Sequence, residues 1–145
     1  MSKVTPPSDP SMENGKETSA GMRSRVLVVE DDPSVVRMLR FSLRSAGFEV
    51  AAVATGGDAL KALEQKGAEA VVLDLGLPDG RGPDVLMALR DHNRTGPGRP
   101  VWVVITAQDR DEVAKKFGPL GEHFLPKPFD PWDLVRLLQK LMAKG

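Results

Sequence analysis

The 145-residue sequence has no cysteine, which excludes a disulfide scaffold, a thiolate zinc site and a cysteine nucleophile. It has no excess of charge of one sign: 20 basic and 20 acidic side chains cancel. A dedicated nucleic-acid binder or polybasic membrane binder carries such an excess, so neither class is expected. No apolar run approaches the roughly 20 residues that a membrane-spanning helix needs. The first residues lack the apolar core of a secretory signal. No glycine-rich phosphate loop follows the first apolar run, which argues against a nucleotide-binding protein. What remains is the expectation of a soluble, cytoplasmic chain with length for one domain and its own core.

Residues 1–24 differ from the rest. They hold Pro6, Pro7, Pro10, Gly15 and Gly21, almost no branched apolar residue, and charges that cancel. Such a stretch buries too little apolar surface to offset its ordering entropy, so it reads as a flexible tail before a domain at 25–145. From Arg25 onward short apolar runs alternate with helical patterns. Val26–Val29, Phe48–Ala54, Ala70–Leu73, Val101–Ile105 and Phe124–Leu125 read as strands. Asp32 followed by Pro33 caps a helix with Val36, Leu39, Leu43 and Ala46 inward, and Gly47 stops it. Thr55 caps a helix over about Asp58–Lys66. Further helices are expected near Asp84–Arg90 and at Arg110–Phe117, and a last one after Asp130-Pro131. Five strand–helix units imply an α/β fold: parallel strands, right-handed crossovers and helices on both faces.

In such sheets ligands bind beyond the carboxyl ends of the strands. The first strand runs into Glu30, Asp31 and Asp32, and the third into Asp74. The fourth is followed by Thr106 and Ala107, and the fifth by Lys127. Adjacent carboxylates repel and push up a pKa unless a cation joins them. A hard ion with oxygen ligands relieves that repulsion, and Mg²⁺ suits a site with few carboxylates. A metal, an ammonium and a hydroxyl converging on one carboxylate are what a phosphoryl group requires. A carboxylate can itself be the nucleophile, and Asp74 is the best placed. Asp32 is assigned only to the helix cap.

The stretches Val26-Leu27-Val28-Val29-Glu30-Asp31-Asp32, Leu73-Asp74-Leu75-Gly76-Leu77-Pro78 with Gly82, Ile105-Thr106-Ala107 and Phe124-Leu125-Pro126-Lys127-Pro128-Phe129 together resemble the response-regulator receiver domains, the CheY-like family of two-component signalling. The resemblance covers about residues 25–143. It implies a flavodoxin-like, doubly wound five-stranded parallel sheet of order 2-1-3-4-5 with five helices. It also implies a phosphoacceptor rather than an enzyme. Asp74 would take phosphate from the phosphohistidine of a sensor histidine kinase or a histidine phosphotransfer protein. Asp31 would bind Mg²⁺ directly, Glu30 through a water, and Gly76 through its backbone carbonyl. Thr106 and Lys127 would hold phosphoryl oxygens, with the Lys127-Pro128 bond cis. On phosphorylation Thr106 would move toward the phosphate and the Phe124 ring would turn inward. The face of the fourth helix, fifth strand and fifth helix would then be repacked for a downstream target protein.

Blander readings stand beside these. Phe124 also reads as core, and it lacks the hydroxyl that tyrosine offers at this place in the family. Trp132, on the first turn of the last helix, reads either as an interface anchor or as edge packing. Trp102, His92 and His123 read as ordinary packing or loop residues, and Arg94 and Arg99 as a solvated rim. Gly118-Pro119-Leu120-Gly121 departs from the family's usual run into the fifth strand, so the output face is expected to differ in shape or mobility. The few residues after Lys127 suffice for one helix, which gives the expectation of a stand-alone receiver. The alternative function is a non-phosphorylated pseudo-receiver acting as a scaffold. A metal-dependent phosphatase is disfavoured by the absence of any cap insertion.

Overall fold

The structure, a computed structural model, describes residues 24–65, 67–91 and 99–144. The proposed tail therefore lies outside the described residues apart from Ser24, as do His92 and Arg94. The elements run β1 (Arg25–Val29), α1 (Pro33–Ser45), β2 (Glu49–Val53), α2 (Gly56–Glu64), β3 (Ala70–Asp74), α3 (Gly82–Arg90), β4 (Val101–Thr106), α4 (Arg110–Phe117), β5 (Phe124–Pro126) and α5 (Pro131–Lys144). The strands form one parallel sheet in the order β2-β1-β3-β4-β5, as expected.

β3 is buried along its whole length and β1 everywhere but at Arg25, which explains their unbroken apolar sequences. Alternate side chains feed two separate cores. Val26, Val28, Val72, Val103 and Ile105 pack under α1 and α5 with Leu39, Leu43, Leu134 and Leu138. Leu27, Val29, Val71, Leu73 and Val104 pack under α2, α3 and α4 with Ala59, Val85, Leu86 and Val113. Burying one such leucine or valine contributes about 1.5–3 kcal/mol.

The caps set where chains leave the sheet. The Asp32 carboxylate accepts from the Ser34 amide at 2.9 Å and its hydroxyl at 2.8 Å, with Pro33 opening α1. Those hydrogen bonds hold its carboxyl below the ordinary aspartate range. Gly47, at φ 97°, ends the helix as expected. The buried stripe of α1 is Leu39, Ser42 and Leu43, flanked by Val35, Met38 and Ala46. Val36, two turns before Leu43 on the same face, is half-buried. α2 begins two residues before the expected start, because Thr55 Oγ1 accepts from the Asp58 amide at 3.1 Å and so places Gly56 and Gly57 in its first turn. It ends at Glu64, and Lys66 lies outside the described residues. α4 spans the expected Arg110–Phe117 and stops at Gly118, at φ 81°. A single 3-10 turn at Gly121–His123, not foreseen from the sequence, then leads into β5. Arg99 is less free than a rim residue: its guanidinium donates to the Leu89 carbonyl at 3.0 Å, near the end of α3.

Candidate functional site

The sheet order brings β1 against β3 with Val29 opposite Leu73, so the residues that follow, Glu30 and Asp74, emerge side by side. Glu30 is held at the sheet by its amide, which donates to the Val53 carbonyl at 3.0 Å. Glu30 and Asp74 are buried and Asp31 is exposed. One carboxylate oxygen from each of the three lies within 4.8 Å of the others. From across the sheet the Lys127 ammonium reaches Glu30 Oε1 at 2.7 Å and Asp74 Oδ2 at 3.4 Å. The Lys127 amide donates to the Thr106 carbonyl at 2.9 Å, which fixes the lysine relative to the end of β4. The Lys127-Pro128 peptide is cis, as expected.

Hydrogen bonds orient the acidic groups. Asp74 Oδ1 accepts from the Gly76 amide at 3.0 Å, and Glu30 Oε2 from the Asp32 amide at 3.1 Å. Thr106 is buried at the strand end, its Oγ1 accepting from the Gln108 amide at 3.1 Å. Burial pushes the Glu30 carboxyl above the ordinary glutamate range. The hydrogen bonds from Lys127 and Asp32 only partly reverse that, and the charge of Asp74 adds to it. Burial alone would lower Lys127. The Glu30 hydrogen bond and the charges of Asp74 and Glu30 outweigh it and raise the lysine above its ordinary value.

Among the described residues, one ammonium contacts two of the three carboxylates. The clustered donors are all carboxylate oxygens, a set that suits a hard divalent cation. Glu30, Asp31 and Asp74 thus fit Mg²⁺, in the arrangement typical of a receiver's metal site. The structure also places Gly76 next to the cluster, exposed and two residues after Asp74. Trp132 is 40% exposed on the first turn of α5, its amide donating to Asp130 Oδ1 at 2.8 Å. Phe124 is already buried, at 4% exposure. His123 stacks on Trp102, ring centroids 4.3 Å apart, which keeps both in the packing role expected of them.

Two neighbours of the site escaped the sequence reading. Asp79 accepts from the amides of Gly56 at 3.1 Å, Gly57 at 3.0 Å and Arg81 at 3.2 Å. It thereby ties the first turn of α2 to the loop after Asp74. The Gly57 amide is the main reason its carboxyl sits below the ordinary range. The signal was the Gly56-Gly57 pair: a Cβ on Gly56 would lie 2.6 Å from Arg81 Cβ, so only glycine permits the approach. The second is Arg110, whose guanidinium lies 4.5 Å over the Phe124 ring.

A doubly wound parallel sheet with an acidic crevice at the ends of β1 and β3 and a lysine reaching in from the end of β5 fits the receiver modules of two-component signalling. Residues 26–139 match the response regulator receiver domain family, and the chain belongs to that family. Over 124 residues it is 37% identical to the DNA-binding response regulator MtrA of Mycolicibacterium smegmatis, covering 86% of this chain and 53% of that protein. Over 126 residues it is 35% identical to the probable transcriptional regulatory protein TcrX of Mycobacterium tuberculosis, covering 86% and 52%. The chain thus spans about half the length of the curated relatives it matches. Among solved structures it is similar to a sensor protein from Polaromonas sp. JS666, with TM-score 0.69 and 32% identity over 84% of this chain and 98% of that one. It is likewise similar to a response regulator receiver protein from Burkholderia phymatum, with TM-score 0.65 and 28% identity over 83% and 96%. Among the described residues no helix is long and apolar enough to cross a membrane.

Proposed function

We propose that this receiver works in the cytoplasm and accepts a phosphoryl group on Asp74 from the phosphohistidine of a sensor histidine kinase or histidine phosphotransfer protein. The observation that carries this reading is the cluster itself: three carboxylate oxygens within 4.8 Å of one another, with the Lys127 ammonium on two of these carboxylates. An Asp74 oxygen attacks phosphorus, the P–N bond breaks, and its electron pair returns to the imidazole of the donor. Bound Mg²⁺, held by Asp31, Asp74 and the Gly76 carbonyl with Glu30 acting through water, would neutralise the oxygen charge around phosphorus.

The side chains of the site supply the rest. The Thr106 hydroxyl has used its oxygen as an acceptor and keeps its O–H for a phosphoryl oxygen. Lys127 has three N–H donors, two of them engaged with Glu30 and Asp74. Ala107 beside Thr106 is small and exposed, which leaves the donor an approach. The output is read by a target protein on α4, β5 and α5, where Trp132 offers an exposed anchor. In energetic terms the phosphoryl group biases two conformations of that face.

Intact-protein mass after incubation with acetyl phosphate tests the reading. One phosphoryl adduct that requires Mg²⁺ and is absent from Asp74→Asn is expected. No adduct from acetyl phosphate or from phosphorylated histidine kinases would overturn it in favour of a constitutive scaffold.

A further inference from the structure

Arg110 occupies a position that helix electrostatics disfavours. It is the first residue of α4, where unsatisfied amides make the helix end positive and acidic side chains are preferred. Asp109, Asp111 and Glu112 around it obey that preference; Arg110 does not. Its guanidinium instead turns away from the helix, lies 4.5 Å over the Phe124 ring and donates to the Gly121 carbonyl at 3.2 Å. A planar guanidinium over an aromatic face is attracted by the ring quadrupole. This one both covers the ring and ties the start of α4 to the turn that enters β5.

The chain between Thr106 and Arg110 is short and stitched. Thr106 Oγ1 holds the Gln108 amide at 3.1 Å, and Asp109 holds the amides of Asp111 at 3.0 Å and Glu112 at 3.4 Å. Only residues 107–109 separate Thr106 from the first residue of α4, and Thr106 holds one of them. On the other side Phe124 lies opposite Val104 in the β4–β5 register, on the strand that carries Thr106. The Arg110 guanidinium thus lies over a ring that is itself buried.

We propose that Arg110 is a positioning residue: it pins Phe124 inward before any phosphorylation and couples the Thr106 loop to that ring. The inference rests on the proposed phosphoacceptor function only for the coupling; the pinning stands without it. It also changes what the family resemblance implies for Phe124. The ring is held inward from the start, so α4 and the Arg110 contact carry the response, not a swing of the ring from outside.

The test is fluorine NMR of the full chain carrying 4-fluorophenylalanine, with the Phe124 signal assigned by Phe124→Leu. Phe41, 69% exposed, serves as the internal exposed reference. In wild type the Phe124 signal should show little solvent isotope shift. In Arg110→Ala the shift should rise toward that of Phe41, and Arg110→Lys, which lacks the planar face, should restore it only in part. Mg²⁺ with beryllofluoride, a phosphoryl mimic, should move the Phe124 signal in wild type and leave it unmoved in Arg110→Ala. The variant should still bind the mimic within about threefold of wild type, a difference of about 0.65 kcal/mol at RT ≈ 0.59 kcal/mol. An unchanged Phe124 signal in a folded Arg110→Ala variant overturns the pinning, and an undiminished response to the mimic overturns the coupling. Failure of wild type to bind the mimic counts against the phosphoacceptor reading instead, while the isotope shifts still decide the pinning.

Discussion

The two sides of the sheet are built differently. On one side lie α1 and α5, of 13 and 14 residues and the longest helices among the described residues, packed against each other and against a core of buried leucines and valines. Under α2, α3 and α4 the helices have 9, 9 and 8 residues. Glycines at positive φ precede α3, at Gly80, and follow α4, at Gly118 and Gly121, as Gly47 follows α1 on the other side. α4 buries only Val113. So little buried apolar area on α4 means a lower local cost of moving that helix. The carboxylate cluster sits at the end of the sheet, between a firm backing and a side able to shift, which is where a charge change can be converted into a change of surface. On this account α5 supplies the fixed edge of the output face and α4 the moving one.

The comparison can be broken by mutation. Leu138→Ala, on the firm side and fully buried, should lower unfolding stability by about 2–5 kcal/mol in chemical denaturation. Val113→Ala on α4 removes fewer atoms and should cost clearly less. If α4 truncation proves the costlier, the ranking of the two sides is wrong.

Next in size is the loop that joins the site to the mobile side. A Cβ on Gly82 would lie 2.4 Å from the Leu75 carbonyl oxygen, so Gly82→Ala must displace backbone on both. A loss of about 1–3 kcal/mol is expected, together with weaker Mg²⁺ binding. A stable variant with unchanged Mg²⁺ affinity would show the approach to be unimportant.

Within the site, Mg²⁺ at a hundredfold excess over its Kd should stabilise the wild type by about 2.7 kcal/mol in thermal unfolding. Asp31→Asn relieves repulsion, so its metal-free Tm should rise while the gain on adding Mg²⁺ falls sharply. A lower metal-free Tm would contradict the charge imbalance inferred here.

The smallest effect is with pH. The Glu30 carboxyl is raised above its ordinary value of 4.5, so on acidification it takes up a proton earlier than an unperturbed glutamate. Mg²⁺ affinity measured by titration should therefore begin to fall while the pH is still above 4.5, and Glu30→Gln should remove that part of the slope. Lys127 gives the opposite end. Its raised pKa adds stability that is complete below 10.5 and lost as pH rises through the higher folded value.

Much of this was legible in the sequence because strand ends are legible. An apolar run that stops at a charged residue states both the strand and the residue it delivers, which pointed to Glu30, Asp31 and Asp74, the carboxylates the fold clusters. Asp32-Pro33 and Asp130-Pro131 marked helix starts by chemistry local to a few residues. What was not legible depends on distance in the chain. Asp79 serves amides 22 and 23 residues away, and Arg110 meets a ring 14 positions later in sequence. The start of α2 was misplaced because Gly56 and Gly57 have poor helix propensity, and only the Thr55 cap and Asp79 reveal why they are helical. Phe124 is buried at the strand end, and the guanidinium that lies over it is a tertiary contact the sequence does not show.

The most direct test of the central claim is amide hydrogen exchange of the full chain, with and without acetyl phosphate and Mg²⁺. The account predicts altered exchange in the loop after Thr106, in α4 and in β5, with residues 39–43 and 134–141 unchanged. Equal changes on both sides of the sheet, or none in a chain that carries the phosphoryl adduct, would contradict it.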